Sequence, residues 1–152
     1  MLKLTKKADY GLMAMKHLAE HGDQGALSAK DVAEAYGIPS EALAKILQRL
    51  VKAGLLQSQH GTNGGYTLAR DPSRISAFEV IRAIDGPLFI TSCITVRGEC
   101  GQTDRCTIRE PLRRVNQSIE DVLRRITISE MKEKEEAAER EEKRPIEFVT
   151  IT

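Results

Sequence analysis

The three cysteines of this 152-residue chain lie close together, at Cys93, Cys100 and Cys106. Three thiolates on one segment suit an iron–sulfur cluster, or a zinc ion, that takes a further ligand from elsewhere. Six and then five residues separate them, whereas zinc ribbons carry cysteine pairs two to four residues apart. The alternative is that one or more of them are small buried apolar residues with no ligand role.

The length and composition of the chain predict one domain with an appended oligomerisation element. Hydrophobic residues make up 41% of the chain and aromatic residues only 4%, which indicates an aliphatic core. The sequence has no apolar run long enough to span a membrane and no signal-peptide pattern, so we expect a cytoplasmic protein. A reducing compartment and an odd number of cysteines both argue against a structural disulfide. The net charge of +1 does not by itself indicate nucleic-acid binding.

Three helices are predicted in the first third of the chain. Thr5 can cap the first, and Ser28 followed by Asp31 is a capping-box pattern for the second. After a Gly-Ile-Pro turn, Ser40 is predicted to cap a third helix over residues 41–53, whose apolar spacing places leucines inward. Two helices joined by a short turn that contains glycine form a helix-turn-helix.

A β-hairpin is predicted directly after the third helix. Two strand-like runs, residues 55–59 and 66–70, flank a loop at residues 60–65 that is rich in glycine and asparagine. A hairpin in this position is a wing. The sequence therefore predicts a mostly α-helical fold with a small hairpin, in which residues 1–86 form a winged helix-turn-helix domain for binding DNA.

The third helix is the element expected to enter the major groove. Lys45 and Gln48 can bond base edges, Glu41 can accept from a cytosine amine, and Arg49 and Lys52 suit phosphates. The predicted DNA contacts on this helix are Ser40, Glu41, Ala44, Lys45, Gln48, Arg49 and Lys52, and those on the wing are His60, Thr62 and Asn63. The alternative for the helix is an ordinary solvated face.

The second half of the chain is predicted to carry the cysteines and a dimerisation helix. Ser76 and Glu79 form a capping-box pattern for a fourth helix, which stops at Gly86. Residues 87–110 then form a loop that bears the cysteines, residues 111–131 a long helix, and residues 132–152 a charged tail.

The apolar residues of the long helix recur at intervals of three and four. They are Leu112, Val115, Ile119, Val122 and Ile126. This spacing is a heptad seam, which favours pairing with a second copy of the chain in a homodimer. The alternative is an amphipathic helix that packs only within its own chain.

Several motifs together resemble the Rrf2 family of winged-helix transcriptional regulators. They are Leu-Thr-Lys-Lys-Ala-Asp-Tyr at 4–10, Gly-Thr-Asn-Gly-Gly-Tyr-Thr-Leu at 61–68, Ala-Ile-Asp-Gly at 83–86 and the three spaced cysteines. The resemblance implies a homodimer that binds double-stranded promoter DNA and whose iron–sulfur cluster, held by those cysteines, changes its DNA affinity in response to cluster status, redox stress or nitric oxide. Regulators of cluster-assembly operons in this family begin much like this chain, which implies control of iron–sulfur assembly genes.

The resemblance leaves the fourth cluster ligand to be assigned. One branch of the family has a histidine three residues after the third cysteine, where this chain has Arg109. Another branch takes an acidic ligand from the first helix of the partner subunit, and Asp9 matches that position. His17 and His21 are interpreted as ordinary surface histidines.

The sequence is compatible with one alternative function and argues against another. A regulator without a cluster, in which the cysteines oxidise directly or a small molecule is bound, is compatible with the same scaffold. The sequence has no Ser/His/Asp, Cys/His or phosphate-loop arrangement, so an enzyme is not expected.

Overall fold

The computed structural model describes residues 4–89 and 107–131. In these ranges the helices are α1 (Lys6–Glu20), α2 (Ala29–Tyr36), α3 (Ser40–Lys52), α4 (Ala77–Asp85) and α5 (Arg109–Arg125), and the strands are β1 (Leu56–Gln59) and β2 (Gly65–Leu68). The predicted mostly α-helical fold with one small hairpin is confirmed. Cys93, Cys100, Cys106 and the charged tail at 132–152 lie outside the described residues.

Local capping signals set the starts of three helices. The Thr5 hydroxyl accepts a hydrogen bond from the Ala8 amide at 3.2 Å, at the start of α1. Ser28 caps α2 and Ser76 caps α4, each in a reciprocal capping box with the acidic residue three positions later. These bonds satisfy amides that would otherwise lack partners at the first turn of each helix.

The prediction that Ser40 caps the third helix is wrong. Pro39 occupies the cap position, with φ of −58°, and α3 already includes Ser40. The proline ring holds φ near the helical value, so the chain enters the helix without a capping side chain. Gly37, at the end of α2, has the left-handed φ of +64° that makes the turn between the two helices.

The core lies where α1, α3 and α4 meet. Met15 from α1, Leu47 from α3 and Val80 from α4 are all fully buried. Gly11 allows α1 and α4 to approach closely, because a β-carbon at this position would overlap the Ile84 side chain. Burial of these aliphatic residues holds the recognition helix α3 against the other two helices.

The prediction of one continuous helix over residues 111–131 is also wrong. The helix α5 begins earlier, at Arg109, and ends at Arg125. Beyond it the backbone pairs with the segment that leads into α4. The Ala77 amide donates to the Ile126 carbonyl at 2.8 Å, and the Ile128 amide donates to the Ile75 carbonyl at 2.9 Å. This pairing buries Ile128 in the core, and it leaves Ile126 as the cap rather than a seam residue within the helix.

Candidate nucleic-acid interface

The helix α3 separates apolar from polar residues almost completely. Leu43, Ile46, Leu47 and Leu50 are at most 3% exposed. On the opposite face, the exposed predicted contacts are Ser40, Glu41, Lys45, Gln48, Arg49 and Lys52, while Ala44 is half-buried. The sequence therefore placed the accessible face correctly, and a helix with such a face can lie in a DNA groove.

The wing is a short antiparallel hairpin. Its register pairs Leu56 with Leu68 and Gln59 with Gly65, so the connecting loop runs from His60 to Gly64. His60, Thr62 and Asn63 are all exposed on this loop. The Gly64 amide closes the loop by donating to the Gly61 carbonyl at 3.0 Å.

Backbone contacts fix the wing to the helix-turn-helix. The Tyr66 amide donates to the Leu27 carbonyl at 2.8 Å, and the Leu27 amide donates to the Tyr66 carbonyl at 3.2 Å. A β-carbon at Gly65 would overlap the backbone of Leu27 and lie 2.8 Å from the Ser28 nitrogen. Leu27, in the segment before α2, thus forms an isolated antiparallel β-bridge with Tyr66 of the hairpin. This pairing was not visible in the sequence, because a single residue carries it.

A groove of about 340 Å³ lies between α3 and the wing. Gln48 and Lys52 line it from the helix, and Ser58, Gln59, His60 and Tyr66 line it from the hairpin. The structure therefore brings together three of the predicted contacts. It also adds Ser58 and Gln59, whose exposed polar side chains on β1 were a signal that the sequence interpretation overlooked.

A second depression of about 350 Å³ lies on the other side of the α3 face. Glu41, Lys45 and Arg49 line it, together with Lys7 from the first turn of α1. Lys7 was not among the predicted contacts, although the Lys6-Lys7 pair could have suggested it. Basic side chains on both sides of α3 give this face the charge that attracts phosphates.

Arg49 also has a structural role. Its guanidinium donates to the Ile84 carbonyl at 2.9 Å, at the carboxyl end of α4. A cation is favourable there because the last carbonyls of a helix carry partial negative charge. The carboxylate of the next residue, Asp85, accepts a hydrogen bond from the Thr5 hydroxyl. This bond also links the start of α1 to the end of α4.

The proposed cluster ligands are only partly within the described residues. Asp9 lies in the first turn of α1 and its side chain is exposed. Arg109, at the position where one branch of the family has a histidine, is the first residue of α5 and is exposed. The three cysteines lie outside the described ranges, so the ligand set remains a prediction.

Apolar residues are left exposed along one side of α5. Val115 is 48% exposed and Val122 is 53% exposed, while Leu112 and Ile119 are half-buried. Val115, Ile119, Val122 and Leu123 line a shallow groove of about 410 Å³ on this side. The helix contacts the domain elsewhere, where the Arg124 guanidinium lies 4.2 Å from the centroid of the Phe78 ring.

The end of α1 carries a cluster that includes two histidines predicted to be ordinary surface residues. His17, Glu20 and His21 place one potential metal-ligand atom each within 4.8 Å of one another. Burial, followed by the nearby His21, lowers the pKa of His17, and burial raises the pKa of the Tyr36 hydroxyl beside it. The His-x-x-Glu-His spacing, which puts all three on one side of a helix, was the signal that could have found this cluster.

The helix-turn-helix, the anchored wing and the basic face of α3 define a winged-helix DNA-binding protein. The chain belongs to the Rrf2 family, whose profile is described as an iron-dependent transcriptional regulator and matches residues 4–134. It is thus a transcriptional regulator and not an enzyme. Within residues 4–89 and 107–131, no helix is long and apolar enough to cross a membrane.

Curated relatives and solved structures agree on this family. The chain is 35% identical over 135 residues to the HTH-type transcriptional regulator IscR of Xenorhabdus nematophila, covering 89% of this chain and 82% of the relative. The structure of IscR from T. potens aligns with a TM-score of 0.70 at 35% identity, covering 90% of both chains. CymR, the global cysteine regulator of B. subtilis, aligns with a TM-score of 0.75 at 29% identity, covering 88% of this chain and 98% of CymR.

Proposed function

We propose that this protein is a homodimeric promoter-binding regulator that senses iron–sulfur cluster status, redox stress or nitric oxide and controls iron–sulfur assembly genes. A cluster held by Cys93, Cys100, Cys106 and Asp9 of the partner subunit would be the sensor. The observation that carries the DNA-binding part of the proposal is the groove in which Gln48 and Lys52 of α3 face His60 of the wing.

The two sides of this groove suit different parts of a duplex. Gln48 is exposed on the face of α3 and can form two hydrogen bonds with the edge of an adenine in the major groove. His60 and Asn63 lie on the wing loop, where they can reach the adjacent backbone or minor groove. Because Leu27 holds the wing in place, the spacing between these contacts is set before DNA binds.

The exposed apolar side of α5 supports the homodimer. Val115 and Val122 are about half-exposed in the single chain, and contact with a second copy of α5 would remove both from water. A two-fold dimer also places two copies of α3 so that they can read two half-sites about one helical turn apart.

The donor set supports a cluster between the two DNA-binding domains. Three cysteine thiolates and a carboxylate complete four ligand positions, and a bound cluster would supply an electron-transfer centre that reacts with oxidants or nitric oxide. Cys106 lies only three residues before Arg109, the first residue of α5. Ligation of Cys106 would therefore restrain the start of α5 and, through the dimer, the separation of the two recognition helices.

Fluorescence anisotropy with a labelled duplex from the protein's own upstream promoter tests the DNA interface. We expect Gln48→Ala to weaken promoter binding by about 1–3 kcal/mol and to relax the sequence preference at one base position. Lys52→Ala should weaken binding to all DNA sequences to a similar extent. The slope of log affinity against log salt concentration should fall by about one, as expected for the loss of one phosphate contact. Arg125→Ala, at the far end of α5, is the control. Equal losses for all three variants would contradict this interface.

A mixed dimer tests the cluster ligands. Asp9→Ala and Cys100→Ser should each prevent stable cluster binding in their own homodimers. If Asp9 serves the cysteines of the other subunit, heterodimers of the two variants regain one complete ligand set, and iron and acid-labile sulfide rise to half the wild-type content. Asp23→Ala, which removes another exposed carboxylate, should not change the content. Full cluster content in the Asp9→Ala homodimer would overturn this ligand assignment.

A cluster-free thiol regulator is the second candidate. It is favoured by the likeness to CymR of Staphylococcus aureus, one structure of which is described as an oxidised form, at 29% identity with a TM-score of 0.66. Anaerobic purification followed by iron and sulfide analysis separates the two candidates. Colourless protein without acid-labile sulfide, whose DNA affinity changes on thiol oxidation, would establish the second candidate and overturn the first.

A further inference from the structure

We propose that His17, Glu20 and His21 form a binding site for a divalent transition-metal ion, separate from the cysteines. Two imidazoles and a carboxylate are ligands that zinc accepts in proteins. His17 and Glu20 lie in the last turn of α1, and His21 is the C-cap residue that follows it. Residues three and four positions apart project from the same side of a helix, which brings the three side chains together. None of them is fully buried, and an ion can reach the cluster from solvent.

Hydrogen bonds prepare both histidines for metal binding. The Nδ1 atom of His21 lies 2.9 Å from the His17 carbonyl oxygen. A carbonyl can only accept a hydrogen bond, so Nδ1 of His21 carries the proton and Nε2 presents a lone pair. The Nδ1 atom of His17 lies 2.9 Å from the Tyr36 hydroxyl, which can accept from it in the same way. Metal-bound histidines in proteins almost always have their second nitrogen held like this.

The separation of the ligand atoms requires only a small adjustment. They lie within 4.8 Å of one another, whereas ligands of a tetrahedral zinc ion at about 2.1 Å from the metal are about 3.4 Å apart. Rotation of these partly exposed side chains can supply that difference without moving the backbone. Glu20 is also paired with Lys16 at 3.5 Å, so the ammonium group competes with a metal for this carboxylate.

The position of the site connects it to the DNA-binding element. Tyr36 is the last residue of α2 and precedes the Gly37 turn that leads into α3. A metal on Nε2 of His17 fixes the proton on Nδ1, and this proton then holds the Tyr36 hydroxyl. The ion would therefore link the end of α1 to the turn of the helix-turn-helix.

Isothermal titration of the full-length chain with ZnCl₂ tests this site. Cys93, Cys100 and Cys106 are replaced by serine so that thiolates cannot take the metal. We expect one zinc ion per chain and at least tenfold weaker binding in His17→Gln and in His21→Gln. His60→Gln, which removes a histidine of the wing, should bind zinc as tightly as the parent. The absence of zinc binding in the parent, or unchanged binding in both α1 variants, would overturn the proposal.

Two further variants separate a built site from loose contact with surface histidines. Tyr36→Phe retains both imidazoles but removes the oxygen that holds His17, and we expect about tenfold weaker zinc binding. Lys16→Met removes the cation that competes for Glu20 and should bind zinc more tightly. Zinc affinities equal to the parent in both variants would contradict the ligand geometry. Circular dichroism checks that each variant is folded.

Discussion

The helices α3 and α5 are both amphipathic, but they complete their apolar contacts in different ways. On α3 the inward leucines are buried entirely within the chain, against α1 and α4. On α5 the apolar side contacts the domain only in part, and Val115 and Val122 remain about half-exposed. Both helices carry basic residues in their last turns. The difference therefore lies in where each helix finds its apolar partner.

The two helices therefore differ in whether the folding of a single chain is enough to bury their apolar sides. The helix α3 is positioned by its own chain, so its exposed polar face is already present in a single chain. The helix α5 has an apolar groove of about 410 Å³ with no partner among the described residues, and a second copy of the chain is the occupant that we propose. Substitutions on α3 should therefore change stability at any protein concentration, whereas substitutions on α5 should change association.

The largest effect is expected for Leu47→Ala on α3. Leu47 is fully buried, and removal of its side chain leaves a cavity between three helices. We expect the free energy of unfolding to fall by about 3–4 kcal/mol, measured by urea denaturation at two protein concentrations. A loss below about 1 kcal/mol would contradict the view that the α3 contacts are complete within the chain.

The next effect is expected for the paired substitution Val115→Glu and Val122→Glu on α5. Two carboxylates in the apolar groove would have to be desolvated on dimerisation, so we expect the dimer to dissociate about 100-fold more readily. Sedimentation equilibrium measures this change. Gln117→Glu places a negative charge on the opposite side of the helix, and it should leave the dimer intact. If both proteins dissociated equally, α5 would not be the interface.

A moderate effect is expected where the wing meets the helix-turn-helix. Gly65→Ala places a methyl group against the Leu27 backbone, which cannot move without breaking the hydrogen bonds to Tyr66. We expect a loss of about 2 kcal/mol in stability, together with weaker DNA binding. Gly22→Ala is the matched control, because no atom lies within 4 Å of its added β-carbon. Thermal unfolding of the two variants makes the comparison.

The smallest effect on stability is expected for a charged residue of α4, the helix that contacts both α3 and α5. Burial raises the pKa of Glu79, but the Ser76 amide and Arg70 outweigh it and hold this pKa below the ordinary value of 4.5. The folded protein thus binds fewer protons than the unfolded chain, so the stabilisation is present above pH 4.5 and is lost as the pH falls through the folded pKa.

The corresponding variant is Glu79→Gln. Because Glu79 is partly exposed, we expect a loss of less than about 1 kcal/mol at pH 7, which shrinks toward pH 4. Urea denaturation at both pH values measures this difference. A loss that is the same at both values would mean that the charge of Glu79 contributes nothing.

The sequence was sufficient wherever one short segment determines the structure. The Ser28 and Ser76 capping boxes, the turn at Gly37 and the polar face of α3 all follow from residues within about one helical turn. The break after Arg125 was missed because residues 126–128 pair with a distant segment, at 75–77. The Leu27 bridge and the contact between His17 and Tyr36 were missed for the same reason, since tertiary packing alone brings them together.

The mass of the protein–promoter complex tests the central claim most directly. Sedimentation velocity of the full-length protein with one upstream promoter duplex should give a complex of two chains per duplex. The Val115→Glu and Val122→Glu double variant, at a concentration that saturates wild type, should give mostly free duplex. A stable complex of one chain per duplex for the wild type, with the same affinity in the double variant, would contradict a dimer that reads DNA through two copies of α3.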